Sequence, residues 1–421
     1  MNRRTMIGLS LALSGLAIGG AGCSGAKPTM AMADVARRPA EASLNDAVRQ
    51  SVSAVSGRLL AAAERDTNVV MSPLSVMIVL AMVRNGATGQ TATEMDATLQ
   101  LPDLETLNSG MNTTLQTLAA RNGKRDGKGE RKGEIILDLA QMAWGQEGTE
   151  FKQPFLEALA AWYGTGVAET DFSDSGAAAD KINEWVADST HDKITQLVDE
   201  NALPAETLLV LANALYLKAP WYEAFGKPAK GEFTTPAGPV TTDLMSKENG
   251  NAYGEGDGWT AAQVPYLGGE LAMTLVLPAE GGEADLLDSL GSGGLAEILA
   301  STEAAKVTVT MPTFSARSSF ELPKVLSDLG MPRLFTEAAE LTEMTDRTLM
   351  VSNLLHQGWI SVDEEGTEAA AATAAVMMPT SANIDRKELV LDRPFAWIVH
   401  DVDAQLPLLV GWVGDPTQTA D

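Results

Sequence analysis

The sequence predicts one large α+β domain that follows an export signal. Segments with strand-like alternation and segments with helical spacing are intermixed, without the regular βαβ rhythm of a parallel sheet. No internal repeat and no long linker interrupts residues 44–421. Hydrophobic residues make up 45% of the 421 residues, which is enough for a sizeable core. We therefore expect a single domain over residues 44–421.

The first 43 residues predict an export signal and a polar linker. Arg3 and Arg4 precede an apolar run from Met6 to Gly22. This run is short and rich in glycine, as in a secretory signal rather than a membrane-spanning helix. The paired arginines resemble a twin-arginine signal. We expect an exported protein, located outside the cell or in the cell envelope.

Two ways of processing this signal remain open. The stretch Gly20-Ala-Gly-Cys23 resembles a bacterial lipobox, in which Cys23 becomes the acylated first residue, but Gly20 stands where leucine is usual. Ala31-Met-Ala33 offers an ordinary cleavage site instead. A lipid on Cys23 would be the only membrane contact that the sequence predicts.

Helices and strands are predicted in a definite order along the domain. Ser72 and Pro73 suit the cap and first turn of a helix, and the near-continuous apolarity of 208–217 indicates a strand buried on both faces. The predicted helices are 46–63, one that begins at 73, 153–163, 177–189 and 320–329. The predicted strands are 135–144, 208–217, several short ones within 241–278, 306–311, 389–402 and 408–413.

The segment from Arg121 to Gly133 is the one basic island in this acidic chain. It holds six Lys or Arg residues against two acids, and it has no aromatic residue that could stack on a base. We expect a solvated loop insertion, with a polyanion contact as the alternative.

Charge and motif content argue against several function classes. The formal charge of −26 disfavours a nucleic-acid partner, because phosphates would be repelled. The single cysteine excludes an intrachain disulfide, and the three histidines limit zinc sites and Ser-His-Asp machinery. No nucleophile elbow, P-loop, dinucleotide fingerprint or His-Glu-x-x-His motif is present. The acidic triplet Asp363-Glu-Glu365 predicts a solvated face, since adjacent carboxylates cannot all face one ion. We expect no cofactor, no metal and no enzymatic activity.

A run of small residues lies near the C-terminus. The nine residues from Thr367 to Ala375 comprise six alanines, two threonines and one glutamate. Alanine favours a helix, yet the run has no apolar stripe that a helix could bury. Local propensity therefore does not explain this segment.

Five motifs, taken in order, resemble the serpin family from about Leu44 to Gln418. Each motif alone is modest evidence, and their order and separation make the resemblance specific. They are Asn68-Val-Val-Met-Ser-Pro-Leu-Ser75, Asn213-Ala-Leu-Tyr-Leu-Lys-Ala-Pro-Trp221 followed by Phe225, Glu365-Gly-Thr-Glu-Ala-Ala-Ala-Ala372, Leu391-Asp-Arg-Pro-Phe395, and Pro407-Leu-Leu-Val-Gly411 followed by Asp415-Pro416.

The resemblance implies a fold of three β-sheets and eight or nine helices, with an exposed reactive-centre loop at about residues 364–385. It also implies an inhibitor of serine proteases that acts as a suicide substrate. The target serine attacks the loop, and the cleaved loop enters the main sheet as a new strand before the acyl-enzyme is hydrolysed. The native state would then persist because of a barrier rather than at equilibrium.

The run of small residues suits a segment that is exposed before cleavage and buried afterwards. Alternate residues of a strand face one side, so Glu368 would stay in water. Gly366 supplies a permissive backbone at the pivot, and the fourteen residues from Gly366 to Pro379 would span about 45 Å. The core-facing residues would be Thr367, Ala369, Ala371, Thr373 and Ala375. The predicted hinge comprises Glu364, Gly366, Thr367, Glu368, Ala369, Ala370, Ala371 and Ala372.

The resemblance implies two further sites in the main sheet. A polar cluster beneath the opening strands, called the shutter, would comprise Ser72, Ser75, Asn213 and His356. A satisfied core histidine is the alternative for His356, and it is nearly the same role. Trp221 corresponds to the top of the sheet, called the breach, where insertion begins. Ordinary core packing is the alternative there.

The resemblance places the reactive bond at Thr380-Ser381, because serpin loops are usually cut after the fifteenth residue counted from the hinge glycine. A threonine in the primary pocket disfavours trypsin-like targets and suits elastase-like or subtilisin-like serine proteases. A shift of two residues would present Met378 to a chymotrypsin-like pocket. Papain-like cysteine proteases also remain open as targets.

A non-inhibitory serpin that acts as a binding module is the alternative function. Such members commonly carry bulky, charged or proline residues in the hinge, whereas this hinge is built of small residues. The sequence therefore favours an inhibitor whose partner is a protease. We also expect a monomer.

Overall fold

The computed structural model of this chain describes residues 28–63, 66–368 and 387–420. Within these residues nine α-helices are interspersed among seventeen strands, an α+β arrangement. The helices are α1 (Asp46–Ala61), α2 (Pro73–Arg84), α3 (Gly89–Leu99), α4 (Leu104–Ala119), α5 (Gln153–Ala158), α6 (Ser175–Ser189), α7 (Glu283–Ser289), α8 (Leu295–Ser301) and α9 (Leu322–Asp328). A π-helical turn, Leu159–Tyr163, extends α5.

The strands belong to two hydrogen-bonded sheets. Those of the central sheet are β1 (Met30–Ala31), β3 (Gly123–Asp126), β4 (Lys132–Gln146), β5 (Val167–Thr170), β6 (Leu209–Pro220), β12 (Phe314–Ser319), β13 (Asn353–Val362) and β14 (Gly366–Thr367). Those of the second sheet are β2 (Val69–Met71), β7 (Ala229–Thr235), β8 (Gly238–Gly256), β9 (Trp259–Pro265), β10 (Leu271–Pro278), β11 (Glu303–Pro312), β15 (Lys387–Val390), β16 (Phe395–Asp401) and β17 (Leu406–Val413).

The central sheet has the order β1-β5-β4-β6-β14-β13-β12, with β3 paired to β4. At one end β6 and β13 are parallel neighbours, and Val210–Asn213 is in register with Asn353–His356. At the other end β14 lies between them and pairs antiparallel with both. The two middle strands therefore meet at one end and are wedged apart at the other.

The second sheet has the order β15-β11-β8-β9-β10-β16-β17-β2, with β7 paired to β8. Its longest member, β8, pairs with β7 over its first part and with β9 over its last part. The resemblance implies three sheets. The second and third of these are joined here in one hydrogen-bonded sheet, because β8 belongs to both.

Helix α2 lies in the core beneath the central sheet. All of its residues from Pro73 to Val83 are buried, as expected for a helix that is apolar on every face. Ser72 caps its first turn, where its Oγ accepts a hydrogen bond from the backbone N–H of Ser75 at 3.3 Å. This position fixes both serines under β6 and β13.

Helix α6 covers the opposite face of the central sheet. Its Ile182 and Val186 are fully buried, and its Trp185 packs edge to face on Trp144 of β4 with 6.1 Å between ring centroids. Ile194, which follows the helix, packs with Val186 and with Ala214 of β6. The chain after α6 therefore reaches across the middle of this sheet.

Part of the predicted polar linker is built into the fold. Strand β1 pairs antiparallel with β5 at the edge of the central sheet, with Met30 opposite Ala168. Ala33 is buried, and the backbone N–H of Arg38 donates to the carbonyl of Ala161 at 2.7 Å. The described ranges contain no helix long and apolar enough to span a membrane.

The predicted strand 389–402 is in fact two strands, β15 and β16. Strand β15 pairs parallel with β11, whereas β16 pairs with β10 and β17. Pro394 lies between them and cannot donate to a ladder. The sequence prediction joined the two because both are apolar.

Candidate functional site

The first residues of the loop hinge lie within the central sheet of the uncleaved protein. Thr367 of β14 is in register with Val362 of β13 and with Ala219 of β6. It is only 1% exposed, and its Oγ1 lies 2.7 Å from the hydroxyl of Tyr266. The next backbone N–H, that of Glu368, donates to the carbonyl of Ser361 at 2.9 Å. The first core-facing residue of the predicted inserting strand is therefore already buried.

The turn that precedes the hinge is held by one carboxylate. Oδ1 of Asp363 accepts hydrogen bonds from the backbone N–H groups of Glu365 at 2.8 Å and Gly366 at 3.1 Å. The indole of Trp221 donates to the carbonyl of Asp363 at 2.9 Å, and its backbone N–H donates to that of Glu365 at 2.9 Å. Asp363 and Glu365 therefore serve separate structural purposes and do not form the solvated acidic face that the sequence predicts.

Trp221 is fully buried at the breach end of the sheet. Its ring stacks on Tyr266 with 4.6 Å between centroids and 6° between planes, and Phe225 packs edge to face on it at 5.8 Å. Because Tyr266 also contacts Thr367, this aromatic pair forms the floor beneath the inserted hinge. Trp221 thus combines core packing with direct hydrogen bonds to the turn.

The basic segment Arg121–Gly133 is not a solvated loop. It forms the β3–β4 hairpin, and its Arg131 lies at the breach with 12% of the side chain exposed. Nη2 of Arg131 donates to the carbonyl and the carboxylate of Glu365, both at 2.9 Å, and Nε donates to the carbonyl of Trp221 at 2.8 Å. The hairpin therefore clamps the residue that precedes Gly366.

Three other cations of this segment, Arg121, Arg125 and Lys128, are also paired with carboxylates. Arg121 contacts the buried carboxylate of Asp401 at 2.7 Å, and Lys128 contacts Glu223 at 2.6 Å. The solvated-loop prediction was wrong because the partner carboxylates lie far away in the sequence.

A gap in the central sheet follows the inserted hinge. Between β14 and the parallel pairs at Asn213 and His356, the described residues provide no ladder partner for the facing edges of 214–218 and 357–360. Strand β6 pairs with β4 on its other side and β13 pairs with β12. The sheet thus presents two open edges in line with the hinge.

The shutter residues form one hydrogen-bonded cluster at the closed end of this gap. Nε2 of His356 accepts from the backbone N–H of Ser72 at 3.0 Å, so the ring proton is on Nδ1, which donates to Oδ1 of Asn213 at 2.7 Å. The Oγ atoms of Ser72 and Ser75 are 2.8 Å apart, and that of Ser72 also donates to the carbonyl of Leu408 at 2.9 Å. Burial lowers the pKa of His356 to about 4, so the ring is neutral.

Several predicted site residues lie outside the described ranges. They are Cys23, the hinge residues Ala369, Ala370, Ala371 and Ala372, the reactive-bond residues Thr380 and Ser381, and the alternative Met378. Within the described ranges no group of three or more His, Cys, Asp or Glu side chains is arranged to hold a metal ion.

Sequence reasoning missed three residues that contact the hinge: Arg131, Tyr266 and Lys193. Nζ of Lys193 lies 2.8 Å from the carboxylate of Glu368. The sequence prediction placed Glu368 in water only in the inserted strand, and it did not indicate this pairing before insertion. The basic segment Arg121–Gly133 was the only sequence feature that indicated Arg131, and it did not indicate Glu365 as the partner.

The sequence model of the serpin family, described as serine protease inhibitors, matches residues 51–416. The chain is a serpin. It is 33% identical over 361 residues to an uncharacterized serpin-like protein of Thermococcus kodakarensis, covering 84% of this chain and 82% of the relative. It is 30% identical over 370 residues to neuroserpin of Gallus gallus, covering 85% and 88%. The predicted family is therefore confirmed.

Solved structures confirm the predicted fold of this serpin. Arabidopsis AtSerpin1 in its native stressed conformation matches with a TM-score of 0.74 at 30% identity, covering 88% of this chain and 99% of that one. The thermophilic serpin tengpin in its native state matches with a TM-score of 0.80 at 24% identity, covering 90% and 97%. Serpins generally bind and inhibit proteases and are not enzymes.

Proposed function

We propose that this serpin inhibits a serine protease by suicide-substrate trapping, in which the cleaved loop inserts into the central sheet. The observation that carries the proposal is the buried Thr367, which occupies the first position between β6 and β13. The open strand edges continue from this point in the direction that a growing strand would take. The first strand pairing of the insertion is therefore already made before cleavage.

The composition of the hinge supports inhibition over a purely binding role. Insertion is a race against hydrolysis of the acyl-enzyme, so residues that enter the sheet must be small and easily desolvated. The residues from Ala369 to Ala375 are alanine and threonine. A non-inhibitory serpin would not need this restriction.

The reactive bond is proposed at Thr380-Ser381, and the target is proposed to have an elastase-like or subtilisin-like pocket, because threonine is small and uncharged. Met378 with a chymotrypsin-like target, and papain-like cysteine proteases, are the alternatives. The test is incubation with a panel of these proteases, followed by denaturing electrophoresis and N-terminal sequencing of the released peptide. An SDS-stable complex and a new N-terminus at Ser381 are expected. Complete cleavage without any stable complex would contradict the inhibitory mechanism.

We propose that the protein is exported, because its N-terminal segment resembles a signal sequence. The pairing of β1 with β5 helps to decide where this signal is cleaved. Cleavage after Ala33 would remove Met30 and Ala31, which pair with β5. Cleavage before Cys23 would keep them. We therefore favour the lipobox and an acylated Cys23 in the cell envelope. N-terminal sequencing and mass spectrometry of the mature protein distinguish the two, and a chain that begins at Asp34 would contradict the anchor.

A further inference from the structure

The segment His191–Ile194, here called the strap, crosses the outer face of the gap. His191 and Asp192 adopt left-handed backbone conformations, with φ of 51° and 61°, and turn the chain away from α6. Ile194 is 1% exposed and packs with Ala214 of β6, and Trp359 of β13 lies against the same cluster. The strap therefore touches both strands that border the gap.

Three polar contacts attach the strap to different parts of the sheet. Nε2 of His191 lies 2.8 Å from Oδ2 of Asp138 on β4. Nη2 of Arg317 on β12 donates to the carbonyl of Lys193 at 3.1 Å. Nζ of Lys193 lies 2.8 Å from Oε1 of Glu368 and 4.8 Å from the ring centroid of Trp359. The third contact differs from the others because Glu368 belongs to the loop that is proposed to move.

Glu368 marks the point where the loop leaves the sheet. Its φ of 49° lies in the left-handed region, which ends the extended conformation of β14. Continued insertion requires an extended backbone at this residue, and such a change redirects its side chain. The ion pair in its present geometry is therefore specific to the resting state.

The strap also lies over the next position of the insertion path. Thr367 is opposite Ala219 and Val362 in antiparallel register, so Ala370 would come to lie between Tyr216 and Trp359. The ammonium group of Lys193 is over the ring of Trp359. Tyr216 also lies near Glu368: burial raises the pKa of its hydroxyl, and the Glu368 carboxylate raises it further. While Lys193 holds Glu368, the outward-facing residues that follow Glu368 cannot pass beneath the strap.

We propose that the Lys193–Glu368 ion pair is a latch that holds the hinge at its resting depth and keeps the strap closed over the gap. The inference rests on the proposed function, because it assigns a restraint to the same insertion step. Lys193 is the only cation paired with Glu368 in the part of the chain that the structure describes. An interaction present in the resting state and lost in the transition state raises the barrier by its own strength. Lys193 thus acts as a positioning residue that protects the uncleaved protein from premature insertion.

The test compares Lys193→Met with wild type and with a matched control, Lys152→Met. Lys152 pairs with Asp346 at 2.7 Å, and its side chain is 34% exposed against 35% for Lys193, but it is not in contact with the hinge. Each intact protein is incubated without protease, and the fraction converted to a form that resists guanidinium unfolding is followed over time. We expect Lys193→Met to convert about tenfold faster, which corresponds to about 1.4 kcal/mol. Wild type and Lys152→Met should convert at the same slow rate.

A double-mutant cycle and a conservative variant separate the latch from a general loss of packing. Glu368→Gln should accelerate conversion as much as Lys193→Met, and the double variant should convert no faster than either one. Lys193→Arg keeps a cation opposite Glu368 and should convert at the slow wild-type rate. Glu368→Gln also provides the test if Lys193→Met fails to fold. Additive effects, or equal rates in all variants, would overturn the latch.

Loop cleavage of the wild type distinguishes failure of the latch from failure of the proposed function. If cleavage raises resistance to guanidinium but Lys193→Met converts at the wild-type rate, only the latch is wrong. If cleaved and intact wild type unfold at the same guanidinium concentration, the loop does not insert, and both proposals are wrong.

Discussion

His356 and Asn213 join the two middle strands by a hydrogen bond of 2.7 Å at the level where β6 and β13 close the gap. A strand that inserts fully must pass between them and break this bond. The ring accepts from the backbone N–H of Ser72 on its other nitrogen, so the pair also ties the sheet to the cap of α2. Separation of the two strands and the protonation state of His356 are therefore coupled.

The first prediction concerns pH. Burial lowers the pKa of both His356 and His400 to about 4, whereas an unfolded histidine titrates near pH 6.5. Their contribution to stability is complete above that pH and is lost as the pH falls from about 6.5 towards 4, because the unfolded chain takes up protons first. Each histidine contributes a slope of up to about 1.4 kcal/mol per pH unit. Thermal midpoints at one scan rate should fall between pH 7 and pH 5.

The matched variant for this prediction is His356→Gln, which removes one of the two titrating groups. It should lower the midpoint at pH 7 and flatten its dependence on pH. The same midpoint for wild type at pH 7 and pH 5 would show that the buried histidines do not control stability in this range.

The second prediction concerns Arg131. Its removal leaves the Glu365 carboxylate without its cation, and the pair is 12% and 13% exposed, so Arg131→Met should lower stability by roughly 1–3 kcal/mol. The number of inhibitor molecules consumed per protease trapped should also rise, because the pivot is no longer fixed. Arg125→Met on the same hairpin removes the contact with Glu270 at 3.2 Å but leaves the pivot intact. An equal rise in both variants would rule out a specific role for the clamp.

The sequence predicts those features of this structure that depend on residues close together in the chain. The buried strand β6 was predictable, because strand apolarity is read within about ten residues. The pair Arg131–Glu365 joins residues 234 positions apart, and nothing near either residue indicates the other. The same limit applies to Lys193 and Glu368.

The third prediction concerns the first inserted residue. Thr367 is buried against Tyr266, so Thr367→Arg must either bury an unpaired charge or expel β14 from the sheet. Expulsion is less costly, and the variant should fold, be cut at the same bond and release active protease. The number of inhibitors consumed per protease trapped should rise at least about tenfold. Thr367→Ser keeps the hydroxyl and loses only a methyl group, so it should behave as wild type. An unchanged number in the arginine variant would contradict loop insertion.

The fourth prediction concerns the reactive bond. Thr380→Arg should redirect inhibition towards trypsin-like proteases, because the guanidinium group can pair with the carboxylate in their primary pocket. The measurement is the rate of stable-complex formation with trypsin, compared with Met378→Arg as the variant for the alternative register. If only Met378→Arg forms the trypsin complex, then the bond lies two residues earlier than proposed.

The last prediction concerns the level at which the inserted strand replaces the shutter contact. Thr367 is opposite Ala219 and Val362 in antiparallel register, and six residues further along the loop Thr373 would stand between Asn213 and His356. On insertion both of these side chains would lose their mutual hydrogen bond, and in this register the hydroxyl of Thr373 would come within reach of one of them. Thr373→Val has the same shape without the hydroxyl, so it should leave a buried polar group unpaired in the cleaved form, at a cost of about 1–3 kcal/mol. The cleaved variant should therefore unfold at a lower guanidinium concentration than cleaved wild type, while the intact proteins unfold together and Thr373→Ser matches wild type. If cleaved Thr373→Val and cleaved wild type unfold at the same concentration, the inserted strand does not follow the register set by Thr367.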